Sequence, residues 1–163
     1  MSSTLQTAEA RYAGRLLAAV REETAAHGRI VELLARQEEH VTRPGTEEFR
    51  SATEALEAEL ARVPHRAKKR RQIMKDLAGA FGVSSKAMTL GSAAERLGER
   101  GAPLAAARDE LQAVALETRR RTLRVSALVR MHREVTRDLL QVVLGGDDNH
   151  DVTEGGTLID AEV

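Results

Sequence analysis

Residues 104–142 read LAAARDELQAVALETRRRTLRVSALVRMHREVTRDLLQV. Leu104, Leu111, Thr118, Val125, His132 and Leu139 fall seven apart. Ala107, Val114, Arg121, Leu128, Val135 and Val142 form an interleaved series at the same spacing. Two such series, three or four residues apart, make one stripe along a helix. A helix of roughly 40 residues at about 1.5 Å per residue is about 60 Å long. Gly145-Gly146 ends it. A long rod with an apolar edge suits a protein that holds another protein.

Working outward, the N-terminal half carries the same kind of signal. Leu17, Val20, Thr24, His27, Val31, Leu34 and Val41 recur mostly in steps of three and four, which predicts a first helix over about 3–41. Ser3-Thr4-Leu5-Gln6 fits a capping box at its start, and Pro44-Gly45 supplies the turn at its end. Thr46 is a suitable N-cap for a second helix, with Glu47 and Glu48 at the positive helix end. Phe49, Leu56, Val63, Arg70 and Leu77 form one series of that helix. Thr53, Leu60, Ala67, Met74 and Phe81 form the other. The stripe continues through Pro64, where a missing N–H predicts a kink or short break. Gly82-Val83-Ser84-Ser85 closes the helix. Ser92-Ala93-Ala94-Glu95 reads as another capping box and predicts a short helix over 93–97, bounded by Gly98 and Gly101. Pro103 is well placed in the first turn of the last helix.

Composition agrees. The chain has 163 residues, one Tyr, two Phe and no Trp, so little aromatic surface is available for a compact globular core. Ala, Leu, Glu and Arg dominate, as in long helices and coiled coils. The fold class expected is all-α: an elongated antiparallel helical bundle or coiled coil of three long helices plus a short one. The helical body is expected over 1–144, followed by a flexible, disordered acidic C-terminal tail over 145–163. The tail holds Asp147, Asp148, Asp151, Glu154, Asp160 and Glu162 and no basic residue. The body therefore keeps 19 acidic against 25 basic residues and carries about +6. A basic body joined to an acidic tail permits self-contact or the binding of a charged partner.

Several chemistries find no support. There is no cysteine, hence no disulfide and no thiol nucleophile. No Gly-rich phosphate loop and no Gly-x-Ser-x-Gly setting occurs. No His-x-x-x-His pair presents two imidazoles on one helical face, and His27 and His132 read as packed seam residues. Asp147, Asn149 and Asp151 resemble the start of a calcium loop, but Val152 stands where Gly is required and Leu158 where Glu is required. No cofactor or metal is expected, and an enzyme is the least supported class. No apolar run approaches the ~20 residues of a membrane span, and no secretory signal opens the chain, so a cytoplasmic location is expected without membrane insertion.

Two basic stretches remain. One comprises Arg62, Arg66, Lys68, Lys69, Arg70, Arg71 and Lys75; the other comprises Arg119, Arg120, Arg121, Arg124, Arg130, Arg133 and Arg137. No aromatic residues interleave for base stacking, so solvated helix faces are favoured over nucleic-acid binding. A self-associating coiled coil, for instance a homodimer, is the main alternative from a different class.

Five segments resemble, in order and spacing, the FlgN-like family of flagellar export chaperones that guard hook-associated proteins. They are Leu33-Leu34-Ala35-Arg36-Gln37-Glu38, Ala78-Gly79-Ala80-Phe81-Gly82-Val83, and Thr89 to Leu97. The closing Asp138-Leu139-Leu140-Gln141-Val142-Val143-Leu144-Gly145 and the tail segment Gly156-Thr157-Leu158-Ile159-Asp160 complete the set. The chain departs from the family pattern at Thr122 and Val125, where Asn residues are common, and in having no Tyr in the tail. The resemblance implies a cytoplasmic protein that binds amphipathic ends of secreted flagellar subunits, prevents their premature assembly and delivers them to the export machinery. The binding edge expected from the last helix is Leu128, Val135, Leu139, Val142 and Val143, with Leu158 and Ile159 as a docking motif in the tail.

Overall fold

A computed structural model describes residues 2–145, with side chains placed for 9–144. Four α-helices follow in order: α1 (Ser2–His40), α2 (Glu47–Ala80), α3 (Leu90–Arg96) and α4 (Ala102–Gly145). A 3₁₀ turn, Gly98–Gly101, joins α3 to α4. Among the described residues there is no strand. None of these helices is long and apolar enough to cross a membrane. The all-α class and the three long helices are as the periodicity predicts. The expected tail lies outside the described residues.

Helix α1 is the shared partner. Glu22, Arg29 and Gln37 of α1 pair in turn with Lys69, Glu59 and Thr53 of α2, so these two helices are antiparallel. His27 to Thr118 and Glu38 to Arg124 pair α1 with α4 in the same chain direction. The result is an up-down-up arrangement in which α2 and α4 both pack on α1. No Cα of α2 comes within 8 Å of one in α4 among the described residues.

The buried face of α1 is Leu16, Ala19, Val20, Glu23, Ala26, Ile30, Leu34 and Gln37, with His27 half-buried at the same spacing and Val41 buried just past the helix end. This corrects the expected line through Leu17, Thr24 and Val31, which are only half-buried. The reason is that two positions of the true seam are polar. Glu23 is held by Arg70 at 3.0 Å, and Gln37 donates to Thr53 at 3.0 Å. An apolar-only pattern passes over them. On α2 the same correction applies. Leu60 is exposed, while Ala52, Glu59 and Ile73 are buried and Arg66 is half-buried. Glu59 receives Arg66 at 3.1 Å, Arg62 at 3.2 Å and Arg29 at 3.4 Å. Burial alone would raise its carboxyl, but the hydrogen bonds and charges of Arg29 and Arg66 outweigh that and hold it below the ordinary value of 4.5.

These polar groups separate two apolar clusters. One gathers Leu16, Val20, Leu77, Met88, Ala93 and Leu104 near α3. The other gathers Ile30, Leu34, Leu56 and Val125 toward the far end. Between them His27 shares a 3.3 Å hydrogen bond with Thr118, whose own hydroxyl donates to the Val114 carbonyl at 2.9 Å. A neutral His27 carrying its proton on Nδ1 satisfies both groups. Burial, followed by the charge of Arg66 and opposed by that of Glu23, pushes this imidazole below its ordinary 6.5.

The ends of the helices follow local chemistry. Thr46 caps α2 by accepting from Phe49 N at 3.4 Å. Gly82, at φ 65°, closes α2 with a double bond pattern in which Val83 N reaches Ala78 O and Gly82 N reaches Gly79 O. The second capping box is one turn earlier than expected. Thr89 is the cap, accepting from Ser92 N at 3.0 Å, and the Ser92 hydroxyl accepts from Thr89 N at 2.9 Å. Ser92 therefore plays the part expected of Glu95. Likewise α1 begins at Ser2, which puts Ser3 inside the helix rather than at its cap. Helix α2 runs through Pro64 without a break. Pro64 and Leu60 are both exposed, so water can reach the Leu60 carbonyl left without an N–H partner.

Two stability tests follow. Gly101 is buried so close to α3 that a Cβ would overlap the Ala94 carbonyl. Gly101→Ala is expected to cost about 2 kcal/mol or more by urea unfolding, because backbone rather than a movable side chain must give. The second test is acid titration. His27 has a lowered folded pKa, so stability falls as pH drops below 6.5 and the unfolded state gains a proton first. Glu59 has a lowered folded pKa too, so its contribution is full above 4.5 and fades below that value. Melting midpoints measured from pH 7.5 downward should fall in two stages. His27→Gln should flatten the first and Glu59→Gln the second.

Candidate partner-binding surface

A helix buries only what lies alongside it. His27 sits opposite Thr118, and both helices rise equally per residue, so the end of α1 at His40 is level with about Met131. Helix α4 continues to Gly145. Every residue from 133 to 144 is exposed. At about 1.5 Å per residue this unpaired stretch is about 18 Å long.

The seven-spaced stripe does not stop where its partner does. Leu104, Ala107, Thr118 and Val125 are buried, and Leu111, Val114, Arg121, Leu128 and His132 are half-buried. Past them, Val135 is 52% exposed, Leu139 61%, Val142 72% and Val143 70%. Of the expected binding edge, then, Leu128 lies in the seam with α1. Val135, Leu139, Val142 and Val143 stand together on the uncovered end. Leu158 and Ile159 lie outside the described residues. Sequence reasoning omitted Met131, Leu140 and Leu144, which are also exposed. The signal was present in the near-continuous run Leu139-Leu140-Gln141-Val142-Val143-Leu144, which is broader than a two-position stripe. This run of exposed apolar side chains makes the end of α4 the candidate partner-binding surface.

A cleft opens just before the uncovered end. Because α2 and α4 do not meet, Ile30 and Leu34 of α1 form a floor between walls of Leu56 and Leu60 on one side and Val125 and Val129 on the other. Its volume is about 390 Å³, with Arg130 and Arg133 at its edge.

The basic stretches divide by role. In α2, Arg62, Arg66, Lys69 and Arg70 are ion-paired with Glu22, Glu23 and Glu59. In α4, Arg121 and Arg124 both reach Glu38, at 3.7 and 2.7 Å. Arg66, Lys69 and Arg70 join α2 to α1, and Arg121 and Arg124 join α4 to α1, whereas Arg62 pairs within α2. Arg130 and Arg133 are exposed and make no ion pair among the described residues, and Arg137 pairs with its neighbour Asp138 at 3.5 Å.

Known proteins bear on this arrangement. No curated protein and no solved structure gives a match to the chain. Residues 12–153 do match the model of the FlgN protein family. That span takes in most of α1, all of α2, α3 and α4, the cleft and the uncovered apolar end. With its length so covered, the chain belongs to the FlgN protein family of flagellar export chaperones.

Proposed function

We propose that this chaperone captures flagellar hook-associated proteins in the cytoplasm on the uncovered end of α4, preventing their assembly before type III export. The observation that carries the proposal is the run of exposed apolar residues from Val135 to Leu144 on a helix that has outrun its partner. A client helix laying its apolar face against this edge restores the packing that α1 provides further back. The edge is Val135, Leu139, Val142 and Val143, with Leu140 and Leu144 widening it, and Leu128 leads into it from the seam with α1. The family role and the exposed edge support this reading, and neither calls for catalysis by the chain.

Each fully buried Leu-sized side chain contributes roughly 1.5–3 kcal/mol. Leu139→Asp with Val142→Asp should therefore weaken capture of co-expressed hook-associated subunits by about 100-fold or more, which is about 2.7 kcal/mol. Both sites are exposed, so helicity and melting should stay close to wild type. Wild-type affinity in that variant would remove the edge from the binding site. The seven-spaced exposed stripe also fits a second copy of the chain. Light scattering separates the cases: a monomer that becomes a heterocomplex with client supports the proposal, and a stable oligomer whose edge is closed to client contradicts it.

A further inference from the structure

We infer that the segment Leu158-Ile159-Asp160, carried beyond the end of α4, docks back into the α2–α4 cleft of its own molecule. The inference is independent of what binds the uncovered end. Three observations point the same way.

First, the cleft is apolar within and cationic at its edge. Ile30, Leu34, Leu56 and Val125 are buried at its base, and Val129 is half-buried on its wall. Arg130 and Arg133 stand at its edge with no carboxylate paired to them among the described residues. The nearby Glu38 is already taken by Arg121 and Arg124. A fitting occupant is a short apolar segment followed by acid.

Second, the chain supplies that composition once past Gly145. The eighteen residues from Gly146 onward contain six acids and no Lys or Arg. Leu158-Ile159 is their only pair of adjacent large apolar residues, and Asp160 and Glu162 follow it directly. Burial of Leu158 or Ile159 among the cleft side chains would bring the two carboxylates toward Arg130 and Arg133, which make no ion pair among the described residues.

Third, the distances agree. From Gly145 back to Arg130 along α4 is about 23 Å. The thirteen residues from Gly145 to Leu158 span about 20 Å as a flexible coil and about 43 Å when extended. A tether whose natural span matches the gap gives the highest effective concentration, in the millimolar range. Weak contacts therefore suffice. Docked there, the segment covers Leu60 and Val129, so a partner helix extending along α4 toward its middle has to displace it.

The absence of cysteine makes the test direct. Thr157→Cys in the full chain carries a single nitroxide, and methyl resonances report its position. Ile30, Leu34, Leu56, Val125 and Val129 should show a several-fold larger relaxation enhancement than Leu16, Val20 and Leu77. Arg130→Glu with Arg133→Glu should abolish it. Adding Asp160→Lys and Glu162→Lys to that variant should restore it, which a merely misfolded variant would not allow. Enhancement no larger at the cleft than elsewhere, or centred on Leu139–Leu144, overturns the inference. So does enhancement that persists undiminished when label and isotope are on different molecules, which assigns the cleft to a second copy.

Discussion

The whole molecule depends on α1 being the shared support for two helices of unequal length. Helix α2 has 34 residues and descends within the length of α1, whereas α4 has 44 and runs past its end. Burial therefore follows position along α1 rather than sequence pattern. The same heptad spacing gives a core residue at Val125 and an exposed one at Val142. Because α2 and α4 meet α1 on different flanks, their backbones stay apart. The cleft over Ile30 and Leu34 follows from that separation, and the uncovered end of α4 from its greater length.

What fixes the register of this long pairing is polar rather than apolar. A stripe of Leu and Val alone tolerates sliding by a heptad, since one apolar layer resembles the next. The ladder that pairs Glu22, Glu23 and Arg29 of α1 with Lys69, Arg70 and Glu59 of α2 does not. A slip of seven residues would take Arg70 away from Glu23, whose side chain is only 8% exposed, in a poorly hydrated seam. An unpaired buried charge costs several kcal/mol, far more than one misplaced methyl. His27 and Thr118 do the same for α4 at lower energy. Register in turn decides how far α4 overhangs, so the polar seam sets the size of the exposed edge.

Much of the architecture is legible in the sequence, and the parts that are not have a common cause. The bounds of the long helices follow from Pro44-Gly45, Thr46, Gly82 and Pro103, residues whose backbone constraints are local. The full seam of α1 is not legible from hydrophobicity, because Glu23 and Gln37 occupy buried positions that only a partner across the interface makes tolerable. The capping box at Thr89 is missed for a related reason. Ser92 can be a cap or the third residue after one, and the choice depends on Ala93 and Ala94 being packed under Leu104. The apolar edge of α4 is visible as a stripe, but a stripe carries no statement of what covers it. Covered and uncovered turns differ in the length of another helix some 90 residues away in sequence. The cleft depends on two helices failing to meet, and no local pattern encodes that.

The size of the overhang also bears on what it can hold. About 18 Å of helix presents some five or six large apolar side chains. Burying each contributes roughly 1.5–3 kcal/mol at most, so the gross gain is about 8–18 kcal/mol. Ordering a disordered partner costs about 2–5 kcal/mol or more, and association entropy takes a further 4 or more. On the proposed function, the surplus left for holding a client is at most about 12 kcal/mol. The unequal helix lengths, anchored by the charged seam, thus suit a protein whose partner must be both shielded and surrendered.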